Sequence, residues 1–208
     1  MTQGIKSLFG IGRFQKGIIV ISFFMLVGVQ LYACYMGLFA GVEDVYWENG
    51  LLENVQVVTL FAALLMFARY LKDLPRYNFI INLVMTLLCF TFLLRELQVE
   101  DFDIPTIFIV LFSGLGKWIF LTALWVVLGL YALRYFSVYW KNFQIFARTG
   151  FSILIISGGV FLLLGDVFEK HIFPTVHFRF YEESLELVGF YLLFVAGLIS
   201  GQQMRLED

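Results

Sequence analysis

Six long apolar runs, separated by short connections that hold most of the charge, limit what this chain can fold into. They cover about residues 18–41, 51–67, 79–94, 104–134, 151–165 and 185–200. Each is near the ~20 residues that a helix needs to cross a hydrocarbon core, given some tilt. The chain is 61% hydrophobic and only 14% charged, where soluble domains carry roughly a quarter charged residues. Its solvent is therefore a bilayer, and the expected fold is all-α: a polytopic membrane bundle of six transmembrane helices in one domain over 1–208. The 25 Phe and 10 Tyr suit lipid-facing surfaces and interface belts.

The connections alternate in sign. Lys6, Arg13 and Lys16 precede the first run; Arg69, Lys72 and Arg76 follow the second; Arg134, Lys141 and Arg148 follow the fourth. The other connections hold Glu43, Asp44, Glu48, Glu53, Glu96, Glu100, Asp101, Asp103, Asp166, Glu169, Glu182, Glu183 and Glu186, with both histidines, His171 and His177. By the positive-inside rule the acidic side faces outward and both termini are cytoplasmic, which fits a bacterial inner membrane. A net charge of −2 without a basic cluster argues against nucleic acid as a partner. Membrane lipid, other membrane subunits or a second copy are the partners that fit. Cys34 and Cys89 lie in separate runs and read as small core residues without a disulfide.

Three local features leave alternatives open. Leu31-Tyr32-Ala33-Cys34 faintly resembles a lipoprotein cleavage box, but Tyr32 fits it poorly and the run continues to Ala40, so span one reads as uncleaved. Ile5 to Phe14 reads either as an amphipathic helix on the inner surface or as a frayed terminus. The fourth run is long, roughly 45 Å as one helix. Asp103 reads as its cap and Pro105 as its first turn, and Ser113-Gly114-Leu115-Gly116-Lys117 interrupts it. Either one tilted helix runs through, or a short re-entrant piece precedes the span. A Lys117 ammonium within the membrane needs a partner.

Candidate chemistry gathers at the acidic helix ends. At Glu48-Asn49-Gly50-Leu51-Leu52-Glu53, Asn49 reads as a cap, and Glu53 either complements the helix dipole or points into the bundle. Arg95 lies where the inside rule disfavours a cation, so it reads as the partner of Glu96, Glu53 or Glu186. Asp166, Glu169 and Lys170 share a helix face, and His171 and His177 follow in a loop. Glu182, Glu183 and Glu186 open the sixth span with more acids than its first turn requires.

Carboxylates from facing helices with nearby histidine form the usual shell for a divalent metal, so Glu53, Glu96, Asp166, His171, His177, Glu182 and Glu186 are the candidate metal ligands. Arg95 and Lys117 would organise that pocket. Without metal, the crowded acids could relay protons. The absence of an ExxH pair weakens a redox-metal role. No phosphate-binding loop, CxxC, HExxH or GxSxG motif occurs. Two further readings stay open: a non-catalytic subunit or assembly factor of a membrane complex, and a membrane enzyme acting on a lipid or isoprenoid.

The segments Glu48 to Glu53, Arg95-Glu96-Leu97 and Glu182 to Glu186 resemble those of small uncharacterised bacterial inner-membrane proteins. The resemblance covers spans two to six. It implies several spans with acidic motifs at their ends, and no activity. The alkaline-ceramidase-like hydrolases need three histidines for zinc, and this chain has two.

Overall fold

The computed structural model describes residues 12–47, 49–72, 76–97, 99–147, 149–172 and 175–203. Most of the amino-terminal amphipathic segment, Glu48 and Arg148 lie outside the described residues. Within lipid the backbone has no water to bond, so each crossing segment satisfies its N–H and C=O groups as a helix. The elements are α1 (Arg13–Cys34), extended by a π-helical turn at Tyr35–Phe39, then α2 (Leu51–Arg69) and α3 (Arg76–Glu96). Next come α4 (Thr106–Phe112), α5 (Gly114–Arg134), α6 (Phe136–Phe146), α7 (Gly150–Glu169) and α8 (Phe178–Gln203). No strand occurs among the described residues. Six of these helices, α1, α2, α3, α5, α7 and α8, are long and apolar enough to cross a membrane. The chain is an all-α, multi-pass membrane protein.

The last helix is the centre of the bundle: α8 packs against α7 on one side and α2 on the other, and α3 packs on α2. Glycine sets the close approach. A Cβ on Gly189 of α8 would lie 2.8 Å from the Leu162 side chain and 3.0 Å from the Gly158 carbonyl oxygen of α7. Small residues that let backbones approach are the main device for helix association in lipid, where apolar surface alone gives no preference. Around this crossing Leu60, Phe67, Cys89, Phe151, Phe190 and Leu193 form the main core. The rings of Phe92 and Phe190 meet at 5.6 Å between centroids, and those of Phe67 and Phe151 at 6.2 Å. Both cysteines are free thiols.

α1 is held differently. Polar contacts tie it to α8 at three levels: Gln15 Nε2 donates to the Leu198 carbonyl at 2.7 Å, the Tyr191 hydroxyl to the Ile19 carbonyl at 3.0 Å, and Gln30 Nε2 to the Ser184 carbonyl at 3.0 Å. Apolar grooves of about 550 and 400 Å3 lie on its two flanks.

The fourth run is broken. Ser113 is extended (φ −118°, ψ 162°) and separates α4 from α5, so one continuous helix over 104–134 does not form. Gly114 has a φ of +47°, and a Cβ on Gly116 would lie 1.8 Å from the Val110 carbonyl oxygen, so the sharp turn needs both glycines. Asp103 is not the cap. α4 starts at Thr106 with Pro105 at the N-cap position, because proline disfavours helical backbone at the residue before it. Two other expectations change. The connection after α5 holds the helix α6, whose exposed Phe136, Trp140 and Phe143 stack in series at 5.7 and 6.0 Å. α8 starts at Phe178, seven residues earlier than position 185.

Candidate functional site

The early start of α8 matters for the acids it carries. Glu182, Glu183 and Glu186 lie in its second and third turns, and no acid lies in its first. Dipole complementation falls off within the first turn, so it does not account for them. Glu182 and Glu186 are instead buried, at 6% and 4% exposure. Burying a carboxylate is costly unless it is paired, so its partners are the informative part.

Arg95, near the end of α3, is the chief partner. One terminal nitrogen meets Glu186 Oε2 at 2.5 Å, and the guanidinium contacts Glu96 Oε1 at 2.7 Å. It also lies 5.8 Å from the centroid of the Phe92 ring. One guanidinium thus holds two carboxylates, Glu96 of its own helix and Glu186 of α8, and the second joins α3 to α8. Room for Glu186 comes from Gly165 of α7, where a Cβ would lie 2.8 Å from Glu186 Cγ.

Three residues absent from the candidate set, Glu183, Gln56 and Arg179, join the cluster. Gln56 of α2 is fully buried and its Nε2 donates to Glu183 Oε2 at 2.8 Å and to the Glu183 carbonyl at 2.9 Å. Arg179, one turn before the acids, lies 3.8 Å from Glu182 and 4.0 Å from Glu183. Glu96, Glu182, Glu183 and Glu186 therefore face two guanidiniums, Arg95 and Arg179. The cluster has two more acids than cations.

The other sequence candidates sit at its margin. Glu53 accepts the Asn49 N–H at 2.6 Å and so caps its own helix, while remaining within electrostatic reach of Glu96. Asn49 is not the N-cap. It adopts a φ of 60°, and Gly50 takes the cap position. Asp166 pairs with Lys170 one turn on, and that carboxylate pushes the Lys170 ammonium above its ordinary value. His171 is exposed, with its ring 4.1 Å from that of Phe178. His177 Nδ1 is buried without a hydrogen-bond partner. Lys117 finds its partner in the Leu94 carbonyl at 3.0 Å, and its ammonium lies 6.0 Å from the Trp118 ring centroid. It thus braces the end of α3 through the backbone. Among the described residues no three His, Cys, Asp or Glu side chains are placed to hold a metal ion.

Above the cluster, the Tyr46 ring fills the space that Gly37 leaves open and stands edge-on to Phe180 at 6.0 Å. Burial, with the Glu43 carboxylate adding to it, holds the Tyr46 phenol above its ordinary value. The chain matches no family model, no curated protein and no solved structure.

Proposed function

We propose that this is a multi-pass protein of a bacterial inner membrane, with both termini in the cytoplasm, whose outward-facing carboxylate–arginine cluster takes up and releases a proton or a small cation. The observation that carries the reading is the surplus of acid. Glu96, Glu182, Glu183 and Glu186 converge from two helices on only two guanidiniums, at burial where uncompensated charge is expensive. A surplus of this kind is relieved by binding a positive charge. In membrane bundles, interior-facing acids with a partner arginine mark ion and proton paths. Arg95 would hold Glu96 and Glu186 in fixed geometry and keep them from repelling each other. The sign alternation of the connections supports the orientation.

The test is proton and sodium flux into vesicles holding the purified chain, driven by an imposed gradient. Wild-type vesicles should dissipate one of the two gradients faster than protein-free vesicles, and Glu186→Gln and Arg95→Gln should remove the excess rate. Equal rates in wild-type and protein-free vesicles, for both ions, would sink the proposal.

A further inference from the structure

Gln56 has a bonding problem that a proton would solve. Both hydrogens of its amide are used: Nε2 donates to the Glu183 carbonyl and to Glu183 Oε2. Its Oε1 is buried and accepts nothing. The residue is fully enclosed by protein. Turning the amide over does not help, because its oxygen would then face two acceptors of Glu183. In either orientation one hydrogen is missing.

None of the charged groups on the packed elements donates to Gln56 Oε1. On α3, Arg95 holds Glu96 and Glu186. On α8, Arg179 stands beside Glu182 and Glu183. On α2, Glu53 accepts from Asn49. α7 brings Asp166 and Glu169, with Lys170 paired to Asp166. Lys117 donates to the Leu94 carbonyl. The hydrogen that Gln56 lacks and one of the two positive charges that the acids lack are thus met by one carboxyl proton, and Glu183 is the acid in contact with the amide.

We propose that Glu183 is the proton-binding group of the cluster. Protonated, it donates to Gln56 Oε1 while Gln56 Nε2 donates to its other oxygen. This closes an acid–amide ring between α2 and α8. On release the proton leaves as the O–H bond breaks and its electron pair stays on the carboxylate; Nε2 remains bonded, and Oε1 loses its donor. The neighbouring acids Glu182 and Glu186 lead from this ring toward Arg95 and the acidic end of the bundle. The proposal rests on the ion-handling reading above and names the ion as a proton.

Infrared difference spectra of the detergent-purified full chain at neutral pH test it. Wild type should show a protonated-carboxyl C=O band. Glu183→Gln should abolish that band while keeping Tm, since the amide imitates the neutral acid and preserves both bonds of the ring. Gln56→Leu should move the band to higher frequency, as the carboxyl loses its acceptor. A wild-type band that survives Glu183→Gln and vanishes in Glu182→Gln or Glu186→Gln overturns the assignment to Glu183 and leaves the ion-handling reading standing. A clear fall in Tm for Glu183→Gln overturns it as well, since the neutral acid–amide ring predicts none. No band in a wild-type protein that carries sodium in vesicles overturns the proton inference alone. No band together with no flux of either ion overturns both.

Discussion

α8 and α1 are helices of similar length, both apolar enough to cross a membrane, yet 67% of the apolar window of α8 is buried against 6% of that of α1. The more buried of the two is the less apolar. In water this would be a paradox, but lipid does not drive apolar side chains together. A helix goes to the centre of a membrane bundle because it has small residues that admit a neighbour's backbone and polar groups that need protein partners. α8 has both: Gly189 and Gly197 at its contacts with α7 and α2, and Glu182, Glu183 and Glu186 at its acidic end. α1 has neither. A Cβ at its Gly17 or Gly28 would meet nothing within 4 Å, and many of its apolar side chains, such as Ile21, Phe24 and Leu31, are exposed. It is fastened by polar side chains spaced along one face, Gln15, Ser22 and Gln30, opposite Leu198, Tyr191 and Ser184.

The strongest way to break this contrast is to remove the charge that admits the acids of α8 to the interior. Arg95→Ala leaves Glu96 and Glu186 buried without a partner. We expect a loss of about 3 kcal/mol, the low end for breaking a buried pair, because the Arg95 side chain is 44% exposed. Denaturant unfolding in detergent reads it, and Arg95→Lys should recover part of the loss.

Steric disruption of the α7–α8 crossing comes next. Gly189→Leu drives a side chain into Leu162 and the Gly158 carbonyl and should cost about 2 kcal/mol by overpacking. Cutting one tether of α1 should cost less. Gln30→Leu removes the bond to Ser184, and interhelical hydrogen bonds in bilayers average only about 0.6 kcal/mol. Its clearer readout is mobility: a spin label on α1 near Gln30 should loosen while one on α8 does not. The control is Gly28→Leu, chemically the same change as Gly189→Leu, which should shift stability by less than ~0.5 kcal/mol. Equal losses from the two glycine substitutions would dismantle the comparison.

Part of the site could be read from the chain. Arg95 stands out because a cation at an otherwise acidic membrane boundary needs a partner, and Glu96 and Glu186 were among the few within reach. Gln56 gave no such signal, and Glu183 only one shared with Glu182 and Glu186. A glutamine inside an apolar run is ambiguous until its neighbour is known, and Glu183 looked like one of three acids opening a helix. That reading rested on a start near 185, whereas Arg179, Phe180 and Tyr181 already belong to α8. α6 was hidden because its connection was read by charge alone, although its aromatic residues recur at helical spacing.

Length and hydropathy by themselves determined the class of fold, the six crossing segments and the alternation of acidic and basic ends. Those follow from one-dimensional requirements: enough apolar residues to span the hydrocarbon, and charge kept outside it. Only the tertiary structure decided that α8 is the hub, that the fourth run breaks at Ser113, and that Arg95, Gln56 and three acids of α8 meet while the histidines stay apart. Lipid treats one apolar surface like another, so these choices rest on close backbone approach and on which buried polar atoms find partners. Both depend on residues far apart in the chain, such as Gln56 and Glu183 or Gly165 and Glu186.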